Sequence, residues 1–285
     1  MVFTTTTQGV KIVVTTDVPC RLAMRISDNE PQVHLHTVTV RGFPLRDNPY
    51  FCFTAYKDYY DWENVESLIH TFWVFNWPFC TTRYVYFFGT RAGVSCQSTS
   101  PPFRFHNQGY TTEEPPSVLA TEYVAPAPYT NLNLGWIDNI IGPFRACMGF
   151  GVLDAGSIMK AQIWVPQGVV FPALCNVIAE IKNGVSPASQ NLATAVPVPG
   201  TAITSPAWNT FYFAYPPVAF PGLHYGLNIK VMTGDQDSLS IVRWSTKSIG
   251  GGLWNSVTWQ NNDPPIYTLL NRKALFKIFF FKEHA

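Results

Sequence analysis

Short runs of β-branched and aromatic residues, separated by turn-forming residues, make up most of this chain. The runs that best fit strands are Lys11–Thr16, Val33–Val40, Arg83–Cys96, Met159–Val165, Phe211–Tyr215, Leu227–Met232, Leu239–Trp244 and Leu275–Phe281. Between the runs lie most of the 23 Pro and 19 Gly residues. Proline removes a backbone donor and fixes φ, so it belongs at turns, strand ends and sheet edges. The pattern predicts an all-β sandwich or barrel.

Residues 61–77 predict a helix instead. Their apolar positions follow the i, i+3, i+4, i+7 stripe of an amphipathic helix: Val65, Leu68, Ile69 and Phe72. Asp61 stands at the N-cap position, where its carboxylate would accept from the first free N–H groups. Pro78 ends the pattern because the residue before a proline is pushed out of the α region. We expect a short helix that packs on a sheet.

Charge is scarce in this sequence. Lys and Arg number 19 against 18 Asp and Glu, and charged residues make up 13% of the chain where about 25% is usual. The net charge of +1 indicates neither an acidic nor a basic partner. A polar surface rich in Ser, Thr and Asn is one explanation. The interpretation we favour is that other subunits cover much of the surface, since interface cores are depleted in charge and enriched in aromatics.

The longest uncharged stretch, residues 183–223, begins with a segment low in strand signal and rich in Ala, Pro, Ser and Thr. Loops of this length are usually functional or disordered, and disordered segments tend to be charged. Residues 183–206 are therefore predicted to be a neutral, extended loop that lies against another protein surface. We divide the chain into an extended N-terminal arm (1–32) and a single domain with long loops and a C-terminal extension (33–285).

Membrane and export signals are weak. The uncharged stretch from Gln162 to Ala179 contains two prolines, and the C-terminal apolar run is short and contains Lys277. A spanning helix needs about 20 mostly apolar residues, so no transmembrane segment is expected. The N-terminus shows no basic region followed by an apolar one, so it does not read as a signal peptide.

Six cysteines stand at positions 20, 52, 80, 96, 147 and 175, without any CxxC pair. Their scatter fits neither a zinc knuckle nor a compact disulfide framework. We expect small, buried, reduced side chains. The absence of an Asn-x-Ser/Thr acceptor also favours a protein that is not secreted.

Candidate chemistry is limited to two pairs of residues. His34 and His36 lie two apart on a predicted strand, so both rings point to one face and could hold a metal ion. No further ligand stands at a telling spacing, which favours a solvated or hydrogen-bonded pair. Asp235 and Asp237 lie at the mouth of a strand, where carboxylates most often accept from turn N–H groups. No nucleophile, phosphate-binding or metalloprotease motif occurs, so we expect no enzyme activity, no cofactor and no bound metal.

The C-terminal tail is the best candidate for nucleic-acid contact. Residues 271–282 carry Arg272, Lys273, Lys277 and Lys282 among aromatics. Such residues could touch phosphates or stack on bases, although a terminal strand with snorkelling lysines is the commoner explanation. Without a basic arm, only modest contact with RNA is expected.

Four patches of the chain resemble segments of capsid subunits of picorna-like viruses, above all the dicistroviruses of insects. VESLIHTFWVF (65–75) is similar to a helix of the pattern L-I-x-R-F, and YVYFFGTRAGVSCQ (84–97) to the aromatic strand that follows it. FYFAYPPVAF (211–220) is similar to that family's E-V-P-Y-Y strand, and GDQDSLSIVRW (234–244) to a late G-D-D-F-S-F strand. The likeness spans roughly residues 33–250.

The resemblance implies an eight-stranded antiparallel jelly roll with one or two short helices and extended termini. The chain would be cut from a polyprotein and would assemble with sister subunits into an icosahedral shell around an RNA genome. Its place would be the virion, and the host cytoplasm during assembly, with a role in host cell attachment through a receptor that stays unknown. Some family members carry an Asp-Asp-Phe maturation motif, which falls here on Asp235 and Asp237. The adjacent second Asp and the Phe are missing, so that activity is not carried over.

A sugar-binding β-sandwich is the alternative function. The abundant tryptophans suggest an open aromatic face of the lectin kind. Its candidate residues are Trp73, Trp77, Trp136, Trp254 and Trp259.

Overall fold

A computed structural model of the chain describes residues 9–40, 43–97, 102–123, 130–134, 144–165, 171, 175–185, 189–233, 242–248, 256–260, 267–270, 272–273 and 275–282. Within these ranges lie 23 β-strands and one 3-10 helix, Gly200–Ala202, and the strands pair antiparallel. The predicted all-β class is confirmed. No helix in the described part of the chain is long and apolar enough to cross a membrane.

The described chain forms two compact units that meet in sequence at residues 115 and 116. The N-terminal unit extends to Pro115, and the C-terminal unit runs from Pro116 to Lys282. The sequence predicted an arm over 1–32 and one domain over 33–285. The division falls elsewhere because residues 9–27 form a core strand of the N-terminal unit, in which Ile12, Leu22 and Met24 are buried.

Eight of the described strands build the N-terminal unit. They are β1 (Gly9–Ser27), β2 (Gln32–Val40), β3 (Phe43–Cys52), β4 (Lys57–Tyr60), β5 (Ser67–Phe75), β6 (Thr82–Arg91), β7 (Val94–Gln97) and β8 (Phe103–His106). The run predicted as one strand over 83–96 is thus a hairpin, β6–β7, and Ala92 and Gly93 turn the chain with φ of 48° and 78°. β2 and β3 form a separate hairpin.

The long strand β1 organises this unit. Its first part, Gly9–Thr15, pairs with β5, and its last part pairs with β6 on one side and β4 on the other. The register with β5 shifts between Thr15 and Cys20, where β1 contains four residues and β5 only one. This bulge exposes Asp17, Val18 and Pro19 at the surface.

The helix predicted over 61–77 is wrong, because residues 67–75 are the strand β5. His70, Phe72 and Val74 face Val14, Ile12 and Val10 of β1 and are fully buried. Trp73 and Phe75, on the opposite face of β5, are also buried. When both faces of a strand are buried, its polar positions no longer alternate with apolar ones, and the remaining apolar residues can match the spacing of a helix. The β-branched and aromatic residue types of this segment, in contrast, favour a strand.

The other fifteen described strands and the 3-10 helix lie in the C-terminal unit. The strands are β9 (Val118–Tyr123), β10 (Thr130–Leu134), β11 (Phe144–Phe150), β12 (Gly156–Val165), β13 (Cys175–Lys182), β14 (Asn191–Thr194), β15 (Val198–Pro199), β16 (Ala207–Tyr212), β17 (Val218–Ala219), β18 (Tyr225–Thr233), β19 (Val242–Ser248), β20 (Ser256–Gln260), β21 (Tyr267–Leu270), β22 (Arg272–Lys273) and β23 (Phe276–Lys282).

Two sheets share the main core of this unit. One sheet has the strand order β16-β12-β23-β9, and the other has the order β14-β13-β18-β11-β20-β21. Fully buried residues from both sheets pack in one cluster: Ile158, Ile163, Phe211 and Ile278 from the first, and Val177, Ile181, Leu227 and Ile229 from the second. Alternating apolar residues on the inner faces of two sheets are the pattern of a β-sandwich.

The prediction that residues 183–206 are an extended loop lying against another protein surface is wrong for residues 191–194 and 198–202, which form two strands and the 3-10 helix. β14 and β15 both pair with β13 of the same chain. Ala195 is buried, and its N–H donates to the carbonyl of Ala179. The lack of charge in this segment therefore fits its position at the edge of its own sheet, beside β13.

Candidate functional site

A cluster of three polar side chains lies inside the apolar core of the N-terminal unit. Cys20 Sγ is 3.8 Å from His70 Nε2, and His70 Nδ1 is 3.0 Å from Asp61 Oδ2. Asp61 Oδ1 also accepts the backbone N–H of Thr71 at 3.1 Å. The exposed fraction is 6% for Cys20, 0% for His70 and 4% for Asp61.

Three local features of the fold bring these residues together. His70 faces inward because it shares the inner side of β5 with Phe72 and Val74. Asp61 follows directly after β4, which pairs with β1. Cys20 is the first residue after the bulge and lies opposite Ser67, the first residue of β5. Asp61 thus accepts a backbone N–H, as predicted for an N-cap, but the donor belongs to a strand.

The cluster has the connectivity of a nucleophile, a base and an orienting carboxylate. Its thiol and its carboxylate contact opposite nitrogens of one imidazole, which is the order of groups in hydrolytic triads. The same arrangement argues against a metal site, because the ring lies between the two other groups. No group of three or more His, Cys, Asp or Glu in the described residues has the geometry to hold a metal ion.

The predicted site residues do not meet in this cluster. His34 and His36 lie on β2, opposite Tyr50 and Asn48 of β3 in the register of the hairpin. Asp235 and Asp237 lie outside the described residues.

The other cysteines differ from Cys20. Burial raises the pKa of the Cys147 thiol to about 12, so this thiol stays protonated. Burial also raises the pKa of Cys175. Cys52 and Cys80 are free and exposed, so the prediction of buried side chains fails for these two.

Two of the five tryptophans predicted to form an open binding face are buried. Trp73 is 4% exposed and Trp77 is fully buried, both within the N-terminal unit. Trp136 and Trp254 lie outside the described residues, and Trp259 contributes its backbone to β20.

An aromatic face does exist in the C-terminal unit, on the outer side of the sheet β16-β12-β23-β9. We call it the outer aromatic face, and its half-buried members are Lys160, Gln162, Trp164, Trp208, Thr210, Tyr212, Lys277 and Phe279. Trp164 and Trp208 are edge-to-face with ring centroids 5.6 Å apart. Lys277 Nζ lies 4.8 Å from the Trp208 ring.

Apolar side chains are exposed along strands of the N-terminal unit. Ile69 is 61% exposed and Val13 is 56% exposed, and the register makes them diagonal neighbours on the outer face of β1 and β5. Together these two residues form what we call the β1–β5 patch, while Val18, Val65 and Leu68 are exposed apolar residues in the bulge, before β5 and near its start. Phe103 and Phe105 of β8 are exposed as well.

A groove of about 360 Å³ also opens in the N-terminal unit. Tyr56, Tyr59 and Phe75 line it, together with the ion pair in which Arg83 Nε donates to Asp28 Oδ1 at 2.6 Å. Lys57 also lines the groove.

Searches for similar proteins return nothing: no family model, no curated protein and no solved structure matches the chain.

Proposed function

We propose that this protein is a structural subunit of a non-enveloped icosahedral RNA-virus capsid of the picorna-like group. It assembles with sister subunits around the genome, in the host cytoplasm and then in the virion, with modest RNA contact. The observation that carries the proposal is the strand order of the C-terminal unit.

That strand order supports an eight-stranded jelly roll. In chain order the strands β9, β11, β12, β13, β14, β16, β18 and β23 alternate between the two sheets at every step except β13 to β14. They give four adjacent strands in each sheet, β9-β23-β12-β16 and β11-β18-β13-β14. Two interleaved Greek keys of this kind make a jelly roll, the architecture of many viral capsid domains and lectins.

The exposed apolar strands support assembly as the role. Scattered apolar residues on a surface are ordinary, but contiguous apolar patches mark interaction sites. The β1–β5 patch lies on adjacent paired strands, and the chain offers little charge to keep such a surface in water. Burial against a neighbouring subunit would remove the patch from solvent.

We expect the full chain to form concentration-dependent oligomers in multi-angle light scattering. Ile69→Lys should shift the distribution towards monomer, because a charge buried in an interface without a partner is unfavourable. Leu153→Lys is the matched control, since Leu153 is 90% exposed and lies outside the patch. A monomer at every concentration, or equal effects of both substitutions, contradicts the proposal.

Glycan binding is the second candidate function, and the outer aromatic face favours it. Two neighbouring tryptophans beside Gln162, whose amide donates to Thr210 Oγ1 at 3.1 Å, offer both stacking surfaces and hydrogen-bonding groups. This face replaces the buried Trp73 and Trp77 as the place where a sugar could bind.

Binding on a glycan array should be saturable and should fall at least about tenfold in Trp208→Ala, since a loss of about 1.4 kcal/mol of stacking is tenfold in affinity. Trp73→Phe serves as the control because Trp73 is buried. Absence of saturable binding by the wild-type chain excludes this second function.

A further inference from the structure

Assembly makes no use of the cluster formed by Cys20, His70 and Asp61. Polar side chains in an apolar core are costly unless they are paired, and the neighbouring inward positions are occupied by Val14, Ile12 and Phe72. Departures from apolar packing concentrate at functional sites. We therefore interpret the cluster as a chemical site and not as a contribution to core packing.

The hydrogen bonds of Asp61 fix the proton positions on His70. Oδ1 accepts from the Thr71 N–H at 3.1 Å, and Oδ2 faces His70 Nδ1 at 3.0 Å. An ionised carboxylate only accepts hydrogen bonds, so we assign the proton of the neutral ring to Nδ1. The lone pair of Nε2 then faces the Cys20 thiol, as a general base requires.

Proton transfer within the cluster keeps its total charge constant. Before transfer the only charge is on Asp61. Afterwards an imidazolium lies between the carboxylate and a thiolate, and it attracts both in surroundings of low dielectric. The carboxylate thus stabilises the activated state and holds the ring in place, while the thiolate becomes the nucleophile.

The bulge in β1 places Cys20 directly beside an exposed segment of the chain. Cys20 is 6% exposed and follows directly after the exposed Pro19. Val18 precedes Cys20 by two residues, Leu68 follows its register partner Ser67, and both are exposed apolar side chains, 43% and 46%. A nucleophilic thiol in this position suits a small substrate.

We propose that Cys20 is a nucleophilic thiol that His70 and Asp61 activate for acyl transfer from esters or thioesters of short apolar acids. His70 Nε2 takes the thiol proton while sulfur forms a bond to the acyl carbon. The carbon–oxygen or carbon–sulfur bond to the leaving group then breaks, and Nε2 returns the proton to that group. Water, deprotonated by Nε2, cleaves the thioester, which releases the acid and restores the thiol.

Incubation of the full chain with p-nitrophenyl acetate tests the proposal. We expect a burst of p-nitrophenolate and, by peptide mass spectrometry, an acetyl group on Cys20 before any appears on the exposed Cys52 and Cys80. Cys20→Ala should abolish the burst. Cys52→Ala and Cys80→Ala should leave it unchanged.

Two further variants separate activation from mere exposure of the thiol. His70→Gln removes the base and should slow acetylation of Cys20 about 100-fold. Asp61→Asn should reverse the tautomer of His70. The amide oxygen of the new asparagine accepts from the Thr71 N–H, so its NH₂ group donates to His70 Nδ1. The ring proton then lies on Nε2, which can no longer accept the thiol proton. The rate–pH profile of this positioning variant should then follow that of Cys52 acetylation.

Circular dichroism identifies variants that fail to fold. If His70→Gln does not fold, the proposal is tested by comparing the acetylation rate of Cys20 with those of Cys52 and Cys80 in the wild-type chain. Slower acetylation of Cys20 than of those exposed thiols overturns the proposal. Equal rates in the wild type and in a folded His70→Gln or Asp61→Asn chain overturn it as well.

Discussion

Replacement of Glu180 by alanine should lower the free energy of unfolding by about 3–5 kcal/mol. Glu180 is 6% exposed, and its carboxylate accepts from Asn228 Nδ2 at 2.5 Å and forms an ion pair with Lys230. Alanine would leave the buried Asn228 amide and the mostly buried Lys230 ammonium without this acceptor. An uncompensated buried charge costs far more than the intact pair contributes.

Urea denaturation followed by circular dichroism measures this effect. Glu122→Ala is the control, because the Glu122–Lys277 pair is 3.7 Å apart and its side chains are 43% and 28% exposed. Exposed pairs contribute about 0–1 kcal/mol, so the control should unfold near the wild-type urea concentration. If both substitutions lower the free energy of unfolding by a similar amount, burial does not increase the cost of removing Glu180, and the prediction is wrong.

Replacement of Gly89 by alanine should destabilise the N-terminal unit by about 3 kcal/mol. A Cβ at this position would lie 2.1 Å from the carbonyl oxygen of Arg21. Gly89 pairs with Leu22, so the new methyl group would push β6 away from β1 near the end of their ladder. Because the obstacle is backbone, rotation of a side chain does not relieve the clash.

Gly109→Ala is the matched control in the same unit. No heavy atom lies within 4 Å of the Cβ it would add. Its midpoint in thermal unfolding should stay close to that of the wild type, while that of Gly89→Ala should fall. Equal midpoints for the two variants would contradict the close approach of β1 and β6.

The fold class was predictable, and the reason lies in particular strands. Met159–Val165 and Leu227–Met232 were recognised because long buried strands carry β-branched residues between clear turn signals, and they are parts of β12 and β18. β5 was missed because Trp73 and Phe75 are buried on its second face. The arm predicted over 1–32 failed for another reason: nothing local reveals that β1 pairs with β5 and β6, some 40 to 80 residues later in the sequence.

The Cys20–His70–Asp61 cluster could not be predicted from spacing. Its members come from three strands or strand ends, and only the shared sheet and the bulge bring them together. One signal was present in the sequence, namely His70 within the otherwise mostly apolar run LIHTFWVF. A histidine that is buried among apolar residues requires a hydrogen-bond partner. Because this run was interpreted as part of a helix over 61–77, the signal did not point to Asp61 or Cys20 as partners.

The bulge of β1 has a further consequence for the covalent continuity of the N-terminal unit. Residues 9–15 are hydrogen bonded to β5 and residues 21–27 to β4 and β6, so residues 16–19 connect two ladders without belonging to either register. Exposed segments of this kind are preferred sites of proteolytic nicking. A single cut there would leave every ladder hydrogen bond in place and yet divide one strand into two peptides. The N-terminal peptide would then be held by its ladder with β5 and by side-chain packing, without a covalent link, and Cys20 would lie near a new chain end.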